Sequence, residues 1–204
     1  GHWRGRLLSR CGYGRRGCQG PGGAAARIVG ETVAGRAMLL ACGALAKELD
    51  ALKRLNGWDH LTVRCLPAEL HHTPDEIPPA VDEELSRCRN DYEHMFVAYA
   101  DCGTGGRLDK VLEKHGVERL PGVHCYEFFA GTEAFATLSD EEPGTFYLTD
   151  FLVRHFDRFV VDALGLERHP DLRSAYFGNY RRCVYLAQAP TPGLRDLPLP
   201  PVSL

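Results

Sequence analysis

"HMFVAYADCGTGGRLDKVLEKHG", residues His94–Gly116, decides the fold class. Its first eight residues contain a run rather than an alternation of apolar residues, the pattern of a parallel strand covered on both faces. "CGTGG" then reads as a tight loop, and "RLDKVLEKHG" as a helix opened by it. Strand, tight turn and helix in that order form the repeating unit of layered α/β proteins.

The flanking sequence repeats the unit. Upstream, "AMLLACGA" reads as a short buried strand and "ALAKELDALKRLNGW" as the helix that follows it. Leu45, Leu49, Leu52 and Leu55 fall at helical spacing, and Gly57 ends the run. "HLTVRCLP" is a second strand stopped by Pro67. "LHHTPDEIPPAVDEELSRCRNDY" begins as a Pro-rich loop and continues as a helix through Val81, Leu85 and Cys88, with Thr73 or Asp75 as its cap. "VERLPGVHCY" supplies a fourth short strand. The expectation is an α/β domain with a mostly parallel sheet of about four to five strands and a helix-rich C-terminal third. In that last third, "DFLVRHFDRFVVDAL" carries a face of period 3.6, and Thr149 with Asp150 is read as its cap. "CVYLAQ" fits either a strand or a continued helix.

Composition sets the class. The chain has 204 residues, 44% hydrophobic and 25% charged, enough for one sizeable core. A net charge of -3 argues against a nucleic-acid partner bound through bulk positive charge. No apolar stretch has the length of a membrane helix, so no membrane partner and a cytoplasmic location are expected. Charge is uneven: residues 1–36 hold seven Arg, one acidic residue and ten of the 22 Gly. The expected organisation is a disordered Gly/Arg-rich leader over residues 1–37, a single α/β domain over 38–188 and a Pro-rich tail over 189–204. Met38, opening the run "MLLACGAL", is read as the natural start.

Eight cysteines without a convincing secretory signal point to reduced thiols or metal ligands rather than disulfides. Cys11 and Cys18 fall in the leader. Cys42, Cys102 and Cys125 each fall at the end of a separate expected strand, and the carboxyl ends of parallel strands share one rim where ligands bind. Three thiols on that rim suit zinc or an iron–sulfur cluster. His124, beside Cys125, and His71, in the loop after the second strand, are candidates for a fourth ligand or an acid/base, and Glu127 for orienting His124 or acting as a base. The backbone N–H groups around Gly103, Gly105 and Gly106 are read as an anion cradle at a helix N-terminus. Simple packing competes with each of these readings, because cysteine also fills cores as a small hydrophobe. Cys65, Cys88 and Cys183 are assigned to the core on that ground.

"LLACGALAKEL", "YADCGTGGRLD", "HCYEFFAG", "GTFYLTDFLVRHFD" and "HPDLRSAYFGNYRRCVYLAQ", in this order, resemble the bacterial and archaeal family known as domain of unknown function 1638, over about Met38 to Gln188. The family often shows Leu-His-Asn where this chain has Leu70-His71-His72, which matches His71 and departs at His72. The resemblance implies an association with corrinoid-dependent methyltransferases. Residues and resemblance together lead to the expectation of a metal-binding protein, zinc or iron–sulfur. It would be an enzyme, transferase or lyase, acting on a small molecule and linked to corrinoid-dependent methyl transfer. Two alternatives stand beside it. One is a non-catalytic partner of a corrinoid methyltransferase. The other is a metal-free enzyme with Cys102 or Cys125 as nucleophile and His124 as base.

Overall fold

Strand β1, Ala37–Cys42, is the centre of the first sheet because its side chains are apolar on both faces. The computed structural model describes residues 36–189. The leader and tail lie outside them, but for Arg36, Ala37 and Ala189 at their inner ends. The described residues form two compact units divided at Cys125 and Tyr126.

In the first unit β1 is followed by helix α1 (Ala46–Asn56), β2 (Leu61–Leu66), α2 (Ile77–Cys88), β3 (His94–Ala98), α3 (Arg107–His115) and β4 (Glu118–Arg119). The strands stand in the order β2-β1-β3-β4 and every pair is parallel. Ala41 lies opposite both Cys65 and Ala98. Alternation sends Met38, Leu40 and Cys42 to one face, and Leu39 to the other with Phe96 beside it.

Helices α2 and α3 cover the Leu40 face. From α2, buried Glu84 forms an ion pair with Arg64 of β2 and accepts from Arg87. From α3, Asp109 takes the Arg119 guanidinium at 2.6 and 3.1 Å. The two helices are tied by Asp82, which lies 2.9 Å from Lys114 Nζ and 2.5 Å from His115 Nε2. Leu49 and Leu52 of α1 lie over the Leu39 face, where a cleft of ≈ 270 Å³ opens at the amino ends of the strands. Right-handed crossovers explain the split: the chain leaves β1 toward β2 on one side and reaches β3 on the other. The strand order therefore reverses between β1 and β3, and their carboxyl ends diverge into a crevice.

The second unit holds α4 (Tyr126–Ala130), α5 (Thr132–Glu141), β5 (Thr145–Thr149), α6 (Asp150–Arg154), a π-helical stretch (Asp157–Asp162), α7 (Leu172–Phe177) and β6 (Arg182–Leu186). Strands β5 and β6 pair in parallel as a second sheet. "CVYLAQ" thus resolves as a strand, and "TFYLT" adds one within the segment read as helical. Tyr147 of β5 packs against Phe135 and Tyr126 at 5.1 and 5.3 Å between ring centroids, which makes a cross-element aromatic core. The expected helix through "DFLVRHFDRFVVDAL" breaks at His155 (φ −118°), and the π-helical turn follows. Thr149 caps α6 as expected, accepting from Leu152 N–H at 3.4 Å. Asp150 does more than cap: buried, it accepts from Tyr185 Oη and from Ala189 N–H, 2.8 Å, holding the exit of β6.

Candidate metal centre

Chain geometry at the crevice begins with Gly43. A Cβ there would come within 2.9 Å of Leu66 O and 3.3 Å of Ala68 N, so only glycine lets the turn after β1 touch the turn after β2. The close approach seats the short 3₁₀ helix Ala68–His72 beside Cys42. Cys42 Sγ accepts the Ala44 N–H at 3.3 Å and lies 3.6 Å from His71 Nδ1.

Beyond β3 and β4 the chain continues as two facing segments. Leu120 N–H donates to Val97 O at 3.0 Å, Asp101 N–H to Gly122 O at 3.1 Å and Cys102 N–H to Val123 O at 2.9 Å. Arg119, held by Asp109, also donates to Leu120 O at 2.8 Å. Strand β4 is only two residues long because Pro121 interrupts it, yet these bonds carry Cys125 back to Cys102.

The Asp101 carboxylate shapes the turn that bears Cys102. It accepts from Thr104 Oγ1 at 2.8 Å, Gly106 N–H at 2.9 Å and Gly105 N–H at 3.1 Å. Those bonds, that of Gly106 first, hold its pKa below the usual carboxylate range. The loop cradles an anion, but its own. Of the cradle expected at Gly103, Gly105 and Gly106, the N–H groups of Gly105 and Gly106 are thus taken from within the chain. All three glycines have positive φ, the conformation the turn demands. Cys102 shares it at φ 49°, alone among the described non-glycine residues. A side chain there costs about 1–2 kcal/mol, and such strain concentrates at functional positions.

These elements bring one atom each from His71, Cys102 and Cys125 to within 4.8 Å of one another. The two thiols come from the turns after β3 and β4, the imidazole from the turn after β2. Cys42, expected as the third thiol of this set, lies instead against the Nδ1 edge of His71. His124 sits beside the cluster, its Nδ1 3.5 Å from Cys125 Sγ. Glu127 belongs to the second unit, buried in the first turn of α4. Of the cysteines assigned to the core, Cys88 is buried, Cys183 half-buried and Cys65 exposed. Cys65 occupies an edge strand, where burial on the sheet face is incomplete.

Charge within the cluster is unevenly shared. Hydrogen bonding to Cys125, against the cost of burial and with help from His71 and His124, holds the Cys102 thiol down at about 4. Cys125 is pushed well above its usual range by Cys102 and by burial. Burial pulls the His71 ring down, but the Cys102 and Cys42 sulfurs outweigh it and raise it to about 10. Both shifts favour a thiolate on Cys102 and a protonated ring on His71. The Cys102 contribution to stability is complete above its ordinary value of 9.0 and fades as pH falls to about 4. The His71 contribution is complete below 6.5 and is lost as pH rises through about 10. Thiolate ultraviolet absorbance of metal-free protein should accordingly persist at neutral pH and vanish on acidification through about 4. In Cys102→Ser protein that component should be missing from the start.

Three residues of the site have no counterpart in the sequence reading: Asp101, Arg119 and Tyr99. Tyr99 is 1% exposed, and its ring lies parallel to His71, 6.0 Å between centroids and 11° between planes. An aspartate three residues before a threonine and ahead of paired glycines is an Asx-turn signal, so Asp101 was readable.

A family model described as "Protein of unknown function (DUF1638)" matches residues 65–196. His71, Cys102 and Cys125 lie within the matched span. No curated protein and no solved structure matches the chain.

Proposed function

The chain belongs to the DUF1638 family, a family described without an activity, and we propose that it is a metal protein whose ion is held by His71, Cys102 and Cys125. One observation carries this reading: three soft or borderline donors, drawn from three separate turns, lie within 4.8 Å of one another. Around tetrahedral zinc such donors sit about 3.5–3.8 Å apart, so the set needs only a small contraction to close on one ion. The nitrogen of His71 away from Cys42, Nε2, is buried and meets no oxygen or nitrogen partner; the neighbour that acts on the ring besides Cys42 is the Cys102 sulfur of the same cluster. Zinc is the first choice for two thiolates and an imidazole. Two thiols at single-ion spacing suit one ion better than a cluster, which distributes its cysteines over several irons.

Each neighbouring group has a task in this reading. Cys42 faces Nδ1 of His71 and fixes the ring's orientation and tautomer, the part a carboxylate often plays beside a zinc-bound histidine. Cys102 is held as a thiolate, ready to ligate without first losing a proton. Asp101 and Arg119 keep the two facing turns in register. A bound ion with three protein ligands keeps one position for a small exogenous ligand and supplies Lewis acidity there.

A second reading rests on the thiolate–imidazolium pair: Cys102 as a nucleophile without metal. Elemental analysis of protein purified without chelators separates the two. About one zinc per chain, lost with unfolding or with a strong chelator, is the expected result. Folded protein free of Zn, Fe and Co, with Cys102 alkylated selectively by iodoacetamide at neutral pH, would sink the metal reading and leave the nucleophile.

A further inference from the structure

Two cysteines of the site touch each other as well as the place assigned to the ion. The sulfurs of Cys102 and Cys125 are hydrogen-bonded to one another. Their turns are tied side by side by Asp101 N–H to Gly122 O at 3.1 Å and Cys102 N–H to Val123 O at 2.9 Å. A disulfide needs sulfurs about 2.05 Å apart on Cα atoms no more than about 7 Å apart. Sulfurs already in contact on tethered turns close the remaining gap by rotation of their side chains. The other thiols are engaged elsewhere. Cys42 is held by the Nδ1 edge of His71 and the Ala44 N–H. Cys65, opposite Ala41, points to the other face of the sheet from Cys42. Cys88 donates to Glu84 at 3.5 Å on α2, and Cys183 belongs to β6 of the second unit. Geometry thus selects Cys102 and Cys125 from the cysteines among the described residues.

We infer that Cys102 and Cys125 are also a redox pair, which hydrogen peroxide joins in a reversible disulfide. The oxidant must be small, because Cys102 is buried and Cys125 half-buried. One sulfur attacks a peroxide oxygen, the O–O bond breaks, and that cysteine becomes a sulfenic acid as the first water leaves. The second sulfur attacks the first, the S–S bond forms, the S–O bond breaks and the second water leaves. Two thiols give up two electrons and two protons, which turn the peroxide into those two waters. Joined sulfurs have no negative charge to offer a cation, so the disulfide leaves His71 as the single ligand of the three. The bond itself stands on the two sulfurs; its consequence for the ion rests on the metal reading above. The site would then answer an oxidant by releasing its metal.

The test needs no variant. Metal-free full-length protein is treated with hydrogen peroxide, its remaining thiols are alkylated, and it is digested with trypsin. Cys102 then lies in the peptide of residues 90–107 and Cys125 in that of residues 120–154, neither with a second cysteine. The expected result is these two peptides joined, at the sum of their masses less the two thiol hydrogens, and parted by dithiothreitol. The same treatment in urea should give a mixture of pairings. A native sample with no joined pair overturns the inference. So does one in which Cys102 or Cys125 is joined mainly to another cysteine, or one that shows the same mixture as the urea sample. In zinc-loaded protein, peroxide should release about one zinc per chain to a chromogenic chelator as the joined pair appears, and reduction should restore binding. Zinc retained by fully joined protein overturns the link between the bond and the ion. Protein that takes up no zinc fails the metal reading, while the joined pair in metal-free protein is judged separately.

Discussion

Cys102→Ser protein should bind zinc at least about a hundredfold more weakly than wild type, because loss of a group outside the coordination sphere already costs about 10–100-fold. Cys88→Ala and Cys183→Ala should keep full metal content, since neither sulfur belongs to the cluster. Cys42→Ala should fall between, as the loss of the group that orients His71. A further comparison separates metal binding from folding. At φ 49° glycine is at ease and alanine is not. Metal-free Cys102→Gly should therefore be more stable than Cys102→Ala by about 1 kcal/mol, the reverse of the order in a helix, while both lose the ion. Denaturant midpoints beside zinc titrations check both halves. Wild-type zinc affinity in either variant would remove Cys102 from the site.

The second large effect is expected at Asp101. Its carboxylate accepts three hydrogen bonds from the turn, from Thr104 Oγ1 and the N–H groups of Gly105 and Gly106. Asp101→Ala removes all three acceptors at once and should destabilise the protein by about 2–3 kcal/mol, read from urea unfolding. The pH dependence has a definite sign. The carboxylate's pKa lies below its usual range, so its contribution is complete above about pH 4 and disappears as pH falls further. Wild type and Asp101→Asn should converge in acid and separate toward neutrality. A gap that stayed constant across the acid range would show that charge contributes nothing to the turn.

Local physics made much of this fold legible. Apolar runs marked β1 and β3, because burial on both faces leaves that mark on sequence alone, while the half-exposed edge strand β2 was marked by its β-branched residues and the proline that stops it. The fourth was overdrawn: Pro121 limits it to two paired residues, and backbone bonds across to Asp101 and Cys102 do the rest. Strand β5 escaped because "TFYLT" lies among aromatic residues whose spacing also fits a helix. At the site, strand ends pointed to Cys102 and Cys125, and the loop position to His71. Cys42 was placed on the right rim, but its role depends on which edge of one imidazole it meets, and that is set by the contact at Gly43. Tyr99 gave no signal, since an aromatic ending an apolar run reads as core.

His71, Cys102 and Cys125 are far apart along the chain and meet only once parallel strands have paired. A pair of cysteines two residues apart can seize zinc before any folding; these three groups cannot. The chain has no such closely spaced cysteine pair, so a metal bound as proposed would favour the native state, by about 2.7 kcal/mol at a hundredfold excess over Kd. Because every pairing that assembles the three is non-local, an ion bound as proposed would arrive late. Metal uptake during refolding would then time the completion of the first sheet, acting as a clock for assembly rather than a seed.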